Sequence, residues 1–336
     1  MGMANCPAGI QGTCGLNPAA PATPGLATAN KTFNRVTFMG GNQVINGLNV
    51  RIFGFAEGGM GGGGGGGGGG MGVQRFPAPL IRVNQGDIVH TVLNVMMGIH
   101  TVHHHGIEPT THEDGVGHYS FDVQGQYTYQ WKASQAGTYF YHCHVNTVLH
   151  VEMGMYGALI VDPPTGPGTA FVGGPAYNVE AIWAVDDIDL SWHCKPWDAA
   201  LCGGDAGFNN FNPTVFCING IGADLTQTDP TVAISMTKGQ TTLLRYIAAA
   251  YVPQRVTFDP GLGPIKIIAE DGRPYSTAVT LAAGSSVLLT AAERYEFLFT
   301  PTTSGTFPIN VKFYNYRAAN GQLAQIGSIG SVVKVA

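Results

Sequence analysis

The sequence predicts an all-β protein built as two tandem Greek-key β-sandwiches, and three observations carry that expectation. Glycine is abundant, at 49 of 336 residues. Short β-branched or aromatic runs recur between turn signals, and apolar residues rarely fall at the spacing of a helix face. In chain order, Lys31 to Phe38 and Asn49 to Phe55 gather Thr, Val, Ile and Phe. Leu80 to Val83 and Ile88 to Val95 are β-branched runs separated by Asn84-Gln-Gly-Asp87. Tyr127 to Trp131 alternates aromatic with polar residues, Thr138 to His142 is an aromatic-rich run, and Ala158 to Val161 is a short apolar run. That number and spacing of strands fit a sandwich. The second half repeats the pattern at Thr231 to Met236, Thr241 to Ile247, Ile265 to Ala269, Ser286 to Thr290 and Ile309 to Phe313.

A chain of 336 residues exceeds the size at which one hydrophobic core stops growing, so two domains are expected. The clearest boundary is Asp162-Pro-Pro-Thr-Gly-Pro-Gly-Thr169, where proline and glycine follow a strand. The expected organisation is an irregular segment at 1–26, a first domain at 27–165 and a second at 166–336. Gly58 to Gly72, interrupted only by Met60 and Met71, has no side chains with which to pack a core and reads as a surface loop.

With 11% charged residues, a net charge of −5 and 16 Lys plus Arg, the chain lacks the basic footprint of a nucleic-acid or anionic-membrane binder. No apolar run approaches the roughly 18 residues of a membrane span. No basic start followed by an apolar core marks a signal peptide in Met1 to Pro24. The six cysteines are Cys6, Cys14, Cys143, Cys194, Cys202 and Cys217. Cys6 with Cys14 and Cys194 with Cys202 are local disulfide candidates, which favours an oxidising compartment, periplasmic or extracellular.

Histidine is distributed unevenly: of eleven, only His193 follows the boundary. Residues 142–155 read His-Cys-His-Val-Asn-Thr-Val-Leu-His-Val-Glu-Met-Gly-Met. A thiolate and an imidazole seven residues apart, with a thioether five further on, let a loop fold back on one metal. Two His and one Cys with a long axial Met form the blue-copper arrangement, and soft sulfur ligands select copper over magnesium or calcium. Cys143, His150 and Met155 fill three places, with Met153 the competitor for the thioether; His100, ending an apolar strand, is the natural second imidazole. His103 with His105, and His142 with His144, are His-x-His pairs whose members share one side of an extended strand, so each pair can present two imidazoles to a metal. The bland alternative is a hydrogen-bonded patch that ties the strands together.

At these residues the first domain resembles a cupredoxin domain of the multicopper oxidase family. The family's His-x-x-His-x-His-Gly motif corresponds to His100-Thr-Val-His-His-His-Gly106, and its His-Cys-His motif to His142-Cys143-His144. Asp114-Gly-Val116 and Gly137-Thr-Tyr-Phe-Tyr-His142 match two further elements. The resemblance implies type 1 copper on His100, Cys143, His150 and Met155, a type 2 position at His103, and type 3 positions at His105, His142 and His144. The second half resembles the copper-free middle domain of the family through Phe216-Cys-Ile-Asn-Gly220, Lys238 to Arg245, Ala269 to Gly272 and Glu293 to Glu296.

The chain departs from the family in one respect. A trinuclear cluster takes eight histidines from four His-x-His motifs, and this chain has two such motifs. Half a cluster per chain implies a homo-oligomer or a mononuclear centre on the four-His set. Copper nitrite reductases resemble this layout and complete their second site with a neighbour's histidine, for which only His193 is on offer. They carry Asp where this chain has His103, and lack a His at the place of His144. The expected activity is therefore a laccase-like copper oxidase. Its electron donor is a small molecule, a metal ion or a redox protein, and His103, His105, His142 and His144 form the oxygen-reducing site. A non-catalytic type 1 electron carrier is the alternative, and nitrite reduction the third reading.

Among the remaining candidates, His104 is expected to point away from its neighbours and to support a ligand rather than be one. His112 and His118 flank a solvated turn that could cover the copper, Glu108 and Glu152 could orient an imidazole, and His90 and His193 are expected to be structural.

Overall fold

The structure, a computed structural model, describes residues 27–58, 72–117, 119–201, 204–315, 317 and 322–336. The N-terminal segment and most of the glycine run lie outside the described residues.

The first half folds into two four-stranded sheets. One has the order β2-β1-β4-β6, from β1 (Lys31–Ile45), β2 (Leu48–Glu57), β4 (Ile88–Asn94) and β6 (Gln126–Lys132). The other has the order β3-β8-β7-β5, from β3 (Ala78–Asn84), β5 (His103–His105), β7 (Gly137–His142) and β8 (Tyr156–Asp162). Alternation sets the inward faces: Val89, Thr91 and Leu93 of β4, and Tyr127, Tyr129 and Trp131 of β6, are buried while the residues between them are less so. The second half forms a seven-stranded and a five-stranded sheet. The larger runs β11-β10-β9-β13-β18-β15-β16, with β9 (Val179–Ile188), β10 (Val215–Ile218), β11 (Ile221–Gly222), β13 (Thr242–Ala248), β15 (Ile265–Glu270), β16 (Arg273–Leu281) and β18 (Arg294–Phe299). The smaller runs β12-β20-β19-β14-β17, with β12 (Ile234–Met236), β14 (Gln254–Phe258), β17 (Ser286–Leu289), β19 (Gly305–Asn315) and β20 (Ala324–Val335). The protein is thus all-β, with one short helix, α1 (Thr147–Glu152), among the described residues.

Each pair of sheets encloses its own core. A third apolar cluster joins the halves: Phe38, Ile52, Phe140 and Tyr156 of the first pack with Ala184, Ile188, Val215 and Ile247 of the second. Beside it, the fully buried Arg245 reaches Glu180 at 2.7 Å and Glu296 at 2.6 Å, and Glu296 also accepts from Thr138 of β7 at 2.7 Å.

β7 is buried on both faces. Its odd residues Tyr139 and Tyr141 enter the first core, whereas Thr138 and Phe140 face the second sandwich. This two-sided burial decides the site, because the chain leaves β7 through His142, Cys143 and His144.

The expected strand at Thr231 to Met236 shortens to Ile234–Met236. Asp229 turns the chain, its carbonyl accepting from Val232 and Ala233 and its side chain from Thr231. Strands β9, β10, β14, β16, β18 and β20 were not among those expected. β9 hides its character behind Asp186 and Asp187, which are buried, and β16 is largely exposed.

Candidate metal centre

Cys143 continues the alternation of β7 and turns into the first core, where it is fully buried. Beyond it, Asn146 adopts a left-handed conformation (φ 45°, ψ 49°) and starts α1, whose single turn and a half carries His150 back over the thiol. The loop then closes on itself: Met155 N–H donates to the His150 carbonyl at 2.9 Å, and Cys143 N–H to the Met155 carbonyl at 3.0 Å. His100 arrives from the other sheet edge, held by paired hydrogen bonds with Val123, both 3.0 Å. Its Nδ1 lies 3.5 Å from the Cys143 Sγ, and the Nδ1 of His150 lies 3.4 Å from the same sulfur. Met153 and Met155 are both fully buried in this core, and of the two it is Met155 whose backbone is bonded to Cys143.

The electrostatics of the trio suit a soft cation. Burial pushes the Cys143 thiol up to about 12 and the His150 imidazole down to about 4, and holds His100 well below its ordinary value. Three neutral groups therefore converge on one buried spot, and a thiolate there requires a positive partner. The His150 Nε2–H donates to the Trp197 carbonyl at 2.8 Å, which leaves Nδ1 unprotonated and facing the sulfur. One thiolate and two imidazole nitrogens beside a buried thioether residue are the donor set of blue copper, so the residues present fit that metal.

The second cluster occupies the opposite face of β7. In the antiparallel pairing of β5 with β7, His103 stands opposite His142 and His105 opposite Phe140. Ligand atoms of His103, His105 and His142 lie within 4.8 Å of one another, with His105 Nδ1 3.2 Å from His142 Nε2. The His103 Nδ1–H donates to the Asp114 carbonyl at 2.7 Å and the His142 Nδ1–H to the Cys143 carbonyl at 2.9 Å, so each ring keeps Nε2 for a metal. Gly115 permits the first contact: its φ is +70°, and a Cβ there would lie 2.1 Å from the Val102 carbonyl oxygen. The His144 ring lies 5.5 Å from that of His103 and 5.8 Å from that of His142, outside the tight trio. His105 stacks on Phe140 at 4.5 Å, and burial, with the Arg294 guanidinium nearby, holds it down at about 3. A cavity of about 480 Å3 opens beside the cluster, with His103, His105, Trp192, Phe208, Phe211 and Tyr251 on its walls. A larger one of about 680 Å3, around Arg75, Pro77 and Ser235, touches neither cluster.

Other candidates are placed differently. His104 turns inward, as expected, to bond the Thr91 hydroxyl at 2.9 Å beside Trp131. Glu108 orients no imidazole; it is exposed and pairs with Arg273 at 2.6 Å. Glu152 accepts from Asp189 N–H at 2.7 Å and lies 3.5 Å from His193, not from a candidate ligand. His112 is exposed against Phe121, and His118 lies outside the described residues. His90 contacts Gln130, and His193 is buried with its Nδ1–H on the Arg51 carbonyl at 2.5 Å. Cys143, Cys194 and Cys217 are free thiols, while Cys6, Cys14 and Cys202 lie outside the described residues. Sequence reasoning missed Trp197 and Asn146 at the first cluster and the Asp114 carbonyl at the second. The run Ser191-Trp-His-Cys-Lys-Pro-Trp197 held a signal in its two tryptophans, which its histidine overshadowed.

Residues 71–166 match the family model described as multicopper oxidase. Over 111 residues the chain is 40% identical to an L-ascorbate oxidase of Cucumis sativus, which covers 30% of this chain and 18% of that protein. Over 233 residues it is 30% identical to Laccase-18 of Oryza sativa subsp. japonica, covering 63% and 36% respectively. The chain thus spans well under half the length of these relatives. Among solved structures, the blue copper oxidase from Nitrosomonas europaea superposes with a TM-score of 0.67 and 27% identity over 91% of this chain and 86% of that one. A copper nitrite reductase from the same organism shares the fold, with a TM-score of 0.62 and 16% identity over 92% and 94%.

Proposed function

We propose that the chain, whose residues 71–166 match the multicopper oxidase family model, is a laccase-like copper oxidase of that family. The reading rests on one observation: Cys143 lies between two imidazoles on one face of the chain, while His142, its covalent neighbour, lies in a second imidazole cluster on the other. Bound copper would supply a one-electron acceptor among His100, Cys143, His150 and Met155, and an oxygen-reducing centre among His103, His105, His142 and His144.

The residues divide the work. Cys143 offers the thiolate, and the Trp197 carbonyl keeps the His150 Nδ1 available to the metal. His142 links the clusters twice, through the peptide bond and through its hydrogen bond to the Cys143 carbonyl. The Asp114 carbonyl does for His103 what Trp197 does for His150. Donor oxidation takes place near the first cluster, the donor being a small molecule, a metal ion or a redox protein. We place the protein in the periplasm or outside the cell.

His193 is buried and bonded to Arg51, which argues against its completing a neighbour's site. The His103 cluster is therefore shared between two like faces of a homo-oligomer or holds a metal by itself. The unshared half set also favours a second reading, an electron carrier with only the first site filled.

Copper loading tests the proposal. More than one copper per chain, a type 2 paramagnetic signal beside the blue one, and oxygen uptake with phenolic or metal-ion donors are expected. A single copper per chain without oxygen uptake would overturn the oxidase in favour of the carrier.

A further inference from the structure

The Cys143 cluster is roofed by residues from beyond the first sandwich. His100 and His150 are both 0% exposed, so neither imidazole presents an edge to solvent. Above them runs the segment from Trp192 to Ala199, which is stitched to the first sandwich at several points. The His193 Nδ1–H donates to the Arg51 carbonyl, the Arg51 guanidinium donates to the Lys195 carbonyl at 2.9 Å, and the Asn146 amide donates to the Trp197 and Ala199 carbonyls at 3.1 and 3.0 Å. The Trp197 indole is half-buried, with its ring centroid 6.2 Å from that of His100 and 6.4 Å from that of His150. It also closes on the loop ahead of His100, where a Cβ at Gly98 would lie 3.0 Å from the ring. Met96 and Met97 on that loop are exposed.

We propose that Trp197 is a positioning residue that caps the Cys143 site and serves as its point of electron entry. This inference rests on the reading of that site as type 1 copper. A donor cannot touch either imidazole, so it must pass its electron through the indole and the hydrogen bond from His150 to the Trp197 carbonyl. The step moves one electron: the donor loses it, cupric ion held at the site becomes cuprous, and no bond is made or broken. Such an entry suits a donor whose own redox centre stops at the protein surface, namely a reduced redox protein. A small phenol, denied a hydrogen bond to a ligand imidazole, is oxidised more slowly than it would be at an open site.

Two variants of the full chain test this, Trp197→Ala and Asn146→Gly, the latter releasing two anchors of the segment while tolerating the left-handed backbone. In metal-free protein, N-ethylmaleimide labelling of Cys143 is followed by peptide mass mapping, with exposed Cys194 as the internal reference. Labelling of Cys143 in both variants is expected to be faster on the order of tenfold, as loss of local closure allows. In copper-loaded protein, anaerobic bleaching of the blue band is timed with hydroquinone and with reduced cytochrome c. Trp197→Ala should bleach faster than wild type with hydroquinone and slower with the cytochrome, and Trp197→Phe should recover part of the cytochrome rate. Unchanged Cys143 labelling in both variants, or an unchanged cytochrome rate in Trp197→Ala, overturns the proposal. Absence of a blue band in the wild type sinks the copper reading instead, and labelling then still decides whether Trp197 shields the thiol.

Discussion

The Nδ1–H of His142 donates to the carbonyl oxygen of Cys143 at 2.9 Å, so one residue of the imidazole cluster is bonded to the backbone of the residue at the heart of the thiol cluster. The contact orients the His142 ring and adds a second link to the peptide bond between the two residues. In copper-loaded His142→Ala, the blue absorption should persist while copper per chain falls and oxygen uptake drops by more than the roughly 10–100-fold that disturbing a ligand's outer partner alone brings. Metal analysis with oxygen electrode measurements checks this.

Cys143→Ser should abolish the intense blue colour and leave the fold intact, because the hydroxyl replaces a buried thiol of similar shape with the Val145 carbonyl close by. Absorption and circular dichroism of the loaded variant provide the test, and retained colour would refute the ligand assignment.

Thr91 bonds two buried aromatic groups through one hydroxyl, contacting His104 at 2.9 Å and accepting from the Trp131 indole at 3.1 Å. Thr91→Val keeps the shape and strands both partners, which should cost about 1–3 kcal/mol for each unsatisfied group. Urea denaturation of the metal-free protein measures the loss.

Arg245 is fully buried between Glu180 and Glu296. Removing it as Arg245→Met leaves the buried Glu296 without its cation, while Glu180 keeps Arg82 at 2.6 Å, and a loss of about 3–5 kcal/mol is expected. The reading is a lowered denaturation midpoint with little change in the absorption of the copper site.

Asp186 makes a contribution to stability that falls as pH rises through the weakly acidic range, opposite in sign to that of the buried imidazoles His105 and His150. Burial raises the Asp186 carboxyl from 3.8 to about 6. The folded state therefore holds a proton that the unfolded chain has released, so this group's contribution is fully present below about 4 and is lost as pH passes 6. Asp186→Asn should remove this contribution, so the stability difference between variant and wild type should shift in the variant's favour by on the order of 2–3 kcal/mol across the interval. Urea midpoints of metal-free wild type and variant between pH 4 and 7 show whether it does.

The thiol cluster was legible because its candidate ligands sit close together in sequence: Cys143, His150 and Met155 share one loop, and alternation along a strand sends Cys143 one way and its histidine neighbours the other. His100 required the family motif, since only tertiary structure brings residue 100 to residue 143. The acidic residues misled. Glu108 and Glu152 looked like imidazole partners by proximity in sequence, yet Arg273 and Asp189, each from the other half of the chain, claim them. The tryptophans of the 191–197 run were a signal without an address, since the contact of Trp197 with His150 spans 47 residues in sequence. In the second half, Asp186 and Asp187 broke the apolar pattern of β9 because buried carboxylates there receive hydrogen bonds from Tyr156, Tyr251 and Val252.

The apolar seam where Phe140 and Tyr156 meet Ile188 and Ile247 leaves each half with one face that only the other covers. Scission between residues 162 and 179 would bare that seam on both fragments, and the half that carries Cys143, expressed alone, would meet water with an oily flank and lose the roof over its thiol. Evolution or engineering that exchanges one sandwich must therefore carry the matching side of the seam with it.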